Sequence, residues 1–284
     1  MDGTVEVADG RSIGFATFGR SDGVPVVWCH GGPGSRLEPA PSGDAAEAAG
    51  LRLVGIDRPG YGLSTPSPGR TIASWVPDAL AVADHLALDR FYTVGVSTGG
   101  AYALALAALA SERVLGVVAC SAMTDMRDGP ARSTMAAGIC HALWDAPDRA
   151  AAMAAAVAMF GEDGTLMLEG ELGQGFGPSD LALFESPAYL EASATGFPAM
   201  FAWGVQGYPD YRLADGPGWQ TFDVTDVACP VTVLHSEADG LVDVTHARHT
   251  ASILRDARLE LHPELGHLSV MAKIVPTLEQ MLKR

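Results

Sequence analysis

The chain has 284 residues, 48% of them hydrophobic, and a mean hydropathy of +0.17, so it holds enough apolar mass for one large core, with or without a modest appended module. Eighteen Lys and Arg against 34 Asp and Glu leave a formal charge of −16, which speaks against nucleic acid or an anionic membrane as partner, since both repel a negative surface. Met1 to Glu6 lack the basic start and apolar run of a signal peptide, and no later run reaches membrane-spanning length, so a cytoplasmic location is expected; oligomeric state leaves no signature.

In chain order, Val24–Cys29 reads as a strand, an Ala-rich helix covers 44–49, and Leu51–Ile56 reads as the next strand. Strands follow at 91–96 and 114–120, with a helix at 100–109 between them. This alternation is the signature of βαβ units, and the runs are continuous enough that helices should cover both sheet faces. From about Asp125 to Asp223 the alternation stops: a helical core near 148–160 and an irregular Gly-rich stretch at 161–177 suggest an inserted module. It resumes with a strand at 231–234, a helix near 244–254, a strand at 258–261 and a closing helix from about 268 to 283. Cys29, Cys120, Cys140 and Cys229 show no C-x-x-C spacing and read as free thiols rather than bridges or metal ligands.

Gly95-Val96-Ser97-Thr98-Gly99 sits between the strand at 91–96 and the helix at 100–109, the context that turns G-x-S-x-G into a nucleophile elbow. Chance supplies on the order of 0.2 such pentapeptides in a chain this rich in glycine, so the flanking elements carry the weight. A serine nucleophile needs a base to take its proton and a carboxylate to orient that base. Asp239 follows the strand at 231–234, and His267 follows the strand at 258–261; open α/β sheets place their sites at that edge. Asp243 and Asp125 are rival acids. Among the other histidines, His85, His141, His246 and His249 lie on helical stretches, and His235 and His262 are sequence neighbours of the acid and base. His30-Gly31-Gly32-Pro33-Gly34-Ser35 ends the strand at 24–29, and Gly32 N–H with Thr98 N–H would supply the two donors that a tetrahedral oxyanion requires.

With these motifs the sequence resembles the α/β-hydrolases, in the branch that carries His-Gly-Gly-Pro-Gly. Asp57-Arg58-Pro59-Gly60-Tyr61-Gly62-Leu63-Ser64 is similar to that family's D-x-x-G-x-G-x-S turn, which is expected to hold loops near the site rather than to react. The resemblance covers about 24–122 and 229–282. It implies a mostly parallel eight-stranded sheet with helices on both faces, a core domain of residues 1–124 and 224–284, and a mainly helical cap at 125–223. It also implies a serine hydrolase, with Ser97, Asp239 and His267 as triad and Gly32 and Thr98 as oxyanion donors, and with no cofactor or metal.

Substrate choice in such enzymes rests with the cap. Residues 125–223 hold 14 Asp and Glu against 4 Arg, a setting for a cationic group such as a peptide's free amine, with Glu162, Glu169, Glu171, Glu185 and Glu191 as candidate binders. Phe197, Phe201, Trp203, Tyr208, Tyr211, Trp219 and Phe222 either line an apolar pocket or pack the module onto the core. Proline iminopeptidases share the His-Gly-Gly-Pro-Gly loop but usually carry Ser-Trp-Gly-Gly at the nucleophile, where this chain has Ser97-Thr98-Gly99-Gly100. The expectation is therefore a carboxylesterase acting on a small, neutral, moderately apolar ester. An aminopeptidase is the alternative; perhydrolysis (haloperoxidase-like), C–C hydrolysis and a non-catalytic ligand receptor on the same fold stand behind it.

Overall fold

The computed structural model describes residues 1–135, 138–169 and 175–283. An N-terminal hairpin of β1 (Asp2–Glu6) and β2 (Ser12–Gly19), which local sequence pattern did not single out, leads into β3 (Val24–Cys29). Then come α1 (Gly43–Ala48), β4 (Leu51–Ile56), α2 (Val76–His85), β5 (Phe91–Val96), α3 (Gly99–Leu109) and β6 (Val114–Cys120). Residues beyond β6 form α4 (Gly129–Thr134), α5 (Gly138–Trp144), α6 (Arg149–Phe160), α7 (Thr165–Glu169), α8 (Pro178–Leu181), α9 (Pro187–Met200), the short strand β7 (Ala202–Val205) and α10 (Gly207–Asp215). The chain returns to the sheet with β8 (Val231–His235), α11 (Val244–Ile253), β9 (Ala257–Leu261) and α12 (Ile274–Leu282). Two local readings change: the stretch expected to be irregular contains α7, and the closing helix begins at Ile274 after a 3-10 turn over Ser269–Lys273.

Eight strands form one sheet in the order β1-β2-β4-β3-β5-β6-β8-β9, antiparallel at β1, β2 and β4 and parallel from β4 onward. Chain progression reverses around β3, with β4 on one side and β5 on the other, and the carboxyl ends of strands at such a reversal form the crevice where open sheets place ligands. The loops after β3 and β5 carry Gly32 and Ser97, so the motifs meet there because of strand order.

Side chains alternate across the pleat, and the core divides accordingly. Val27 and Cys29 join one cluster with Ile56, Trp75, Tyr102 and Leu104, while Val26 and Trp28 join another with Leu53, Val94, Leu234 and Ile274. Helices thus cover both faces, as the continuous apolar strands required. Each fully buried residue of this size contributes about 2 kcal/mol of transfer free energy. A separate cluster of Leu143, Ala152, Ala156, Phe160, Phe201, Val205 and Tyr208 gives the inserted segment its own small core.

Candidate active site

Ser97 stands at the end of β5 with φ +53°, a left-handed conformation costly for a residue with a Cβ. Its strain is held by β6 and the loop after that strand: Ser97 N–H donates to Cys120 O at 2.9 Å, and Ser97 O accepts from Met123 N at 3.1 Å. The glycines of the pentapeptide are steric necessities. A Cβ on Gly95 would overlap Gly99 O and lie 2.6 Å from Gly100 Cα, and one on Gly99 would overlap Cys29 O and lie 2.5 Å from His30 O. The turn lifts the half-buried Ser97 above the sheet edge and aims the N-terminus of α3, with its partial positive charge, at the same place. Among the described residues, neither Gly32 N–H nor Thr98 N–H donates to a protein acceptor.

The loop holding Gly32 is gripped from both sides. Glu38 accepts from Gly31 N–H at 2.8 Å and from Trp28 Nε1 at 2.7 Å, while Arg58 donates to His30 O at 2.5 Å and to Gly31 O at 2.7 Å. Arg58 is fully buried between the rings of Tyr102 and Tyr211, 4.6 and 4.5 Å from their centroids. Burial raises the Glu38 carboxyl above its ordinary value, against the pull of its two donors and of Arg58. Sequence reasoning left Glu38 and Arg58 without a role at this loop; Arg58 lay within the turn assigned to loop fixing, and that turn does serve so. Asp57 accepts from Arg36 N at 2.6 Å and from Leu63 N at 2.9 Å, and its burial lifts its pKa to about 6.

Asp239 and His267 come together across 28 residues of sequence: Asp239 Oδ2 accepts from His267 Nδ1 at 2.8 Å, with the carboxylate side chain fully buried. Its other oxygen accepts from Leu241 N and Val242 N, both at 2.9 Å, which fixes its orientation. Burial would raise the acid and depress the imidazole; the pair overrides both, holding Asp239 below the ordinary carboxylate range and His267 above the ordinary histidine value. The His267 loop sits against the end of β6, where Ser121 Oγ donates to His267 O at 3.1 Å. Among the described residues no hydrogen bond joins the Ser97 hydroxyl to the imidazole.

The rival acids are engaged elsewhere. Asp243 caps α11 through Thr245 N at 2.8 Å, and Asp125 pairs with Arg127 and accepts from Trp219 N at 3.0 Å. His235, expected only as a sequence neighbour, lies fully buried with Nε2 2.9 Å from Val242 O and 3.5 Å from Asp239 Oδ2.

Burial and pairing give most aromatics and acids of residues 125–223 a structural place. Phe201 and Tyr208 fill the inserted segment's own core with Phe197 packed against it, Tyr211, Trp219 and Phe222 join the main core, and Trp203 is exposed, so six of the seven aromatics are packed. Its acids are mostly caps and pairs: Asp128 and Asp148 cap α4 and α6, Asp210 binds Arg149 at 2.6 Å, and Asp215 binds Arg212 at 2.8 Å. Glu162, Glu185 and Glu191 are exposed, and the Glu169 side chain and Glu171 lie outside the described residues.

Comparison with known proteins agrees with this architecture. A family model described as alpha/beta hydrolase fold matches residues 24–139. The uncharacterized hydrolase YcgS of Bacillus subtilis is 24% identical over 275 residues, covering 93% of this chain and 91% of that protein. A proline iminopeptidase of Neisseria meningitidis is 34% identical over 119 residues, 41% of this chain and 38% of that protein. Among solved structures, a putative aryl esterase from Burkholderia cenocepacia superposes with a TM-score of 0.70 at 20% identity, with 100% of each chain covered.

Proposed function

Since the chain belongs to the α/β-hydrolase superfamily, we propose that it is a serine hydrolase cleaving a small, neutral, moderately apolar carboxylic ester. The observation that carries this reading is the 2.8 Å bond from His267 Nδ1 to the buried Asp239, at the same sheet edge as a serine held at φ +53°. That bond puts the proton on Nδ1 and leaves Nε2 as the acceptor. Ser97 Oγ attacks the ester carbonyl as His267 Nε2 takes its proton, and Asp239 balances the imidazolium. The oxyanion lies between Gly32 N–H and Thr98 N–H; Glu38 and Arg58 keep the Gly32 donor in place by holding the residues beside it. His267 then gives its proton to the departing alcohol, and water repeats the sequence to release the acid. The serine–imidazole bond is the one expected to close on substrate binding, since such bonds are often long in the empty site.

We read residues 125–223 as the cap over this site. An apolar substrate is supported by the cluster of Met123, Met126, Met135 and Val242, which adjoins the nucleophile through the Met123 N–H bond to Ser97 O. A second reading, release of an N-terminal residue, is favoured by the proline iminopeptidase match. It lacks the tryptophan at position 98, where this chain has Thr98.

Turnover of p-nitrophenyl esters of increasing acyl length and of proline p-nitroanilide separates the two. The butyrate ester should be cleaved faster than the anilide, and a fluorophosphonate probe should label Ser97. Ser97→Ala should lose both labelling and at least about 10⁴-fold of the hydrolytic rate. Faster anilide cleavage would transfer the assignment to the aminopeptidase, and unlabelled, inactive wild type would leave a ligand receptor.

A further inference from the structure

One carboxylate in the inserted segment is fully buried without a cationic partner among the described residues. Asp180, in α8, is 0% exposed, and its donors come from the loop that carries the base. Oδ2 accepts from His267 N at 2.8 Å; Oδ1 accepts from Leu268 N at 3.0 Å, Ser269 N at 2.8 Å and Ser269 Oγ at 2.9 Å. The fit leaves no slack, because a Cβ on Gly266 would lie 2.6 Å from Asp180 Oδ1. The 3-10 turn at Ser269–Lys273 has no side-chain cap of its own at Leu268, so Asp180 caps it from a distant part of the chain.

We propose that Asp180 is a positioning residue for His267, a carboxylate that the inserted segment lends to the base loop so that the base is set only when that segment is seated. The proposal rests on the serine hydrolase reading for its catalytic meaning. A buried carboxylate is costly unless donors surround it, and three backbone N–H groups and a hydroxyl of this one loop surround this one. Withdrawal of α8 would leave both the carboxylate and the loop's N–H groups unpaired, so segment and loop hold or release together. The same charge also bears on the imidazole. Asp239 from the loop after β8, Asp180 from α8 and Glu38 from the loop after β3 face His267 and favour its protonated form, and the neighbouring His235 opposes them.

Asp180→Asn keeps the volume and one acceptor oxygen; Asp180→Ala removes both acceptors. With p-nitrophenyl butyrate, the alanine variant should lose about 10²-fold in kcat with KM changed by less than about 3-fold, and the asparagine variant should fall between it and wild type. In both, the acid limb of the kcat/KM profile should move to lower pH, because a negative charge beside the imidazole is gone. Titration of His267 by NMR should show the same downward move in Asp180→Asn, a readout that needs neither activity nor the alanine variant to fold. An unchanged His267 titration, or a lowered Tm with kcat and the acid limb unmoved, would overturn the proposal. If wild type itself is neither labelled at Ser97 nor active on any ester, the hydrolase reading fails separately, and the NMR titration still decides whether Asp180 acts on His267.

Discussion

At the scale of single residues, chemistry is assigned by what each carboxylate touches. Asp239 and Asp243 are four positions apart, yet one accepts from the imidazole at 2.8 Å and the other from Thr245 N–H at 2.8 Å. Asp239→Asn should therefore lower kcat/KM by about 10³-fold or more, since the wrong tautomer is favoured and the imidazolium loses its partner. Asp243→Asn should leave activity within about 2-fold, because Asn is as good an N-cap as Asp. Steady-state kinetics on the two variants checks both, and the reverse ranking would move the acid. The raised pKa of His267 sets the pH dependence of the proposed chemistry: its base must be neutral, so kcat/KM should fall as pH drops through a value above the ordinary histidine range. The same shift favours folding at low pH, an effect lost as pH rises through the folded-state pKa.

At the scale of elements, the site is built from turns that tolerate no added atoms. The β5-to-α3 turn brings backbone against backbone, which is why Gly95 and Gly99 matter beyond their freedom of φ. Gly99→Ala would push a methyl group into Cys29 O and His30 O, the strand end that feeds the Gly32 loop. The expected cost is about 3 kcal/mol, measurable as a drop in Tm of roughly 5–10 °C, together with loss of fluorophosphonate labelling. Gly129→Ala, where an added Cβ meets nothing within 4 Å, is the control and should leave both unchanged. Across elements, α8 and the His267 loop behave as one unit through Asp180, so an element of the inserted segment bears directly on an atom of the proposed chemistry.

At the scale of the whole molecule, the charge of −16 has a local explanation. Of the acids in residues 125–223, Asp125, Asp210 and Asp215 pair with arginines, Asp128 and Asp148 cap helices, Asp180 holds the His267 loop, and Glu162, Glu185 and Glu191 are exposed. Hydrolysis of a neutral ester should consequently vary by less than about 2-fold between roughly 0.05 and 0.5 M NaCl, whereas recognition of a cationic amine would weaken steeply over that range. Rates measured across the salt series test this. Much of the molecule was legible in its sequence, because periodicity and turn chemistry are local properties: the strands at 24–29, 51–56, 91–96 and 114–120, the helix after Ser97 and the steric need for its glycines follow from adjacent residues. Motif order also placed Asp239 and His267 on one sheet edge. What local pattern does not carry is contact between distant segments. Glu38 and Arg58 clamping the Gly32 loop, the burial of Tyr211 in the main core against Tyr102 and Arg58, and the seating of Asp180 at the His267 loop depend on packing across 7 to 153 residues of chain. The amino-acid sequence by itself determined the alternating fold and the residue types able to react; only the tertiary structure decided which carboxylate serves which group, because a hydrogen bond is set by distance in space and leaves no period in the chain.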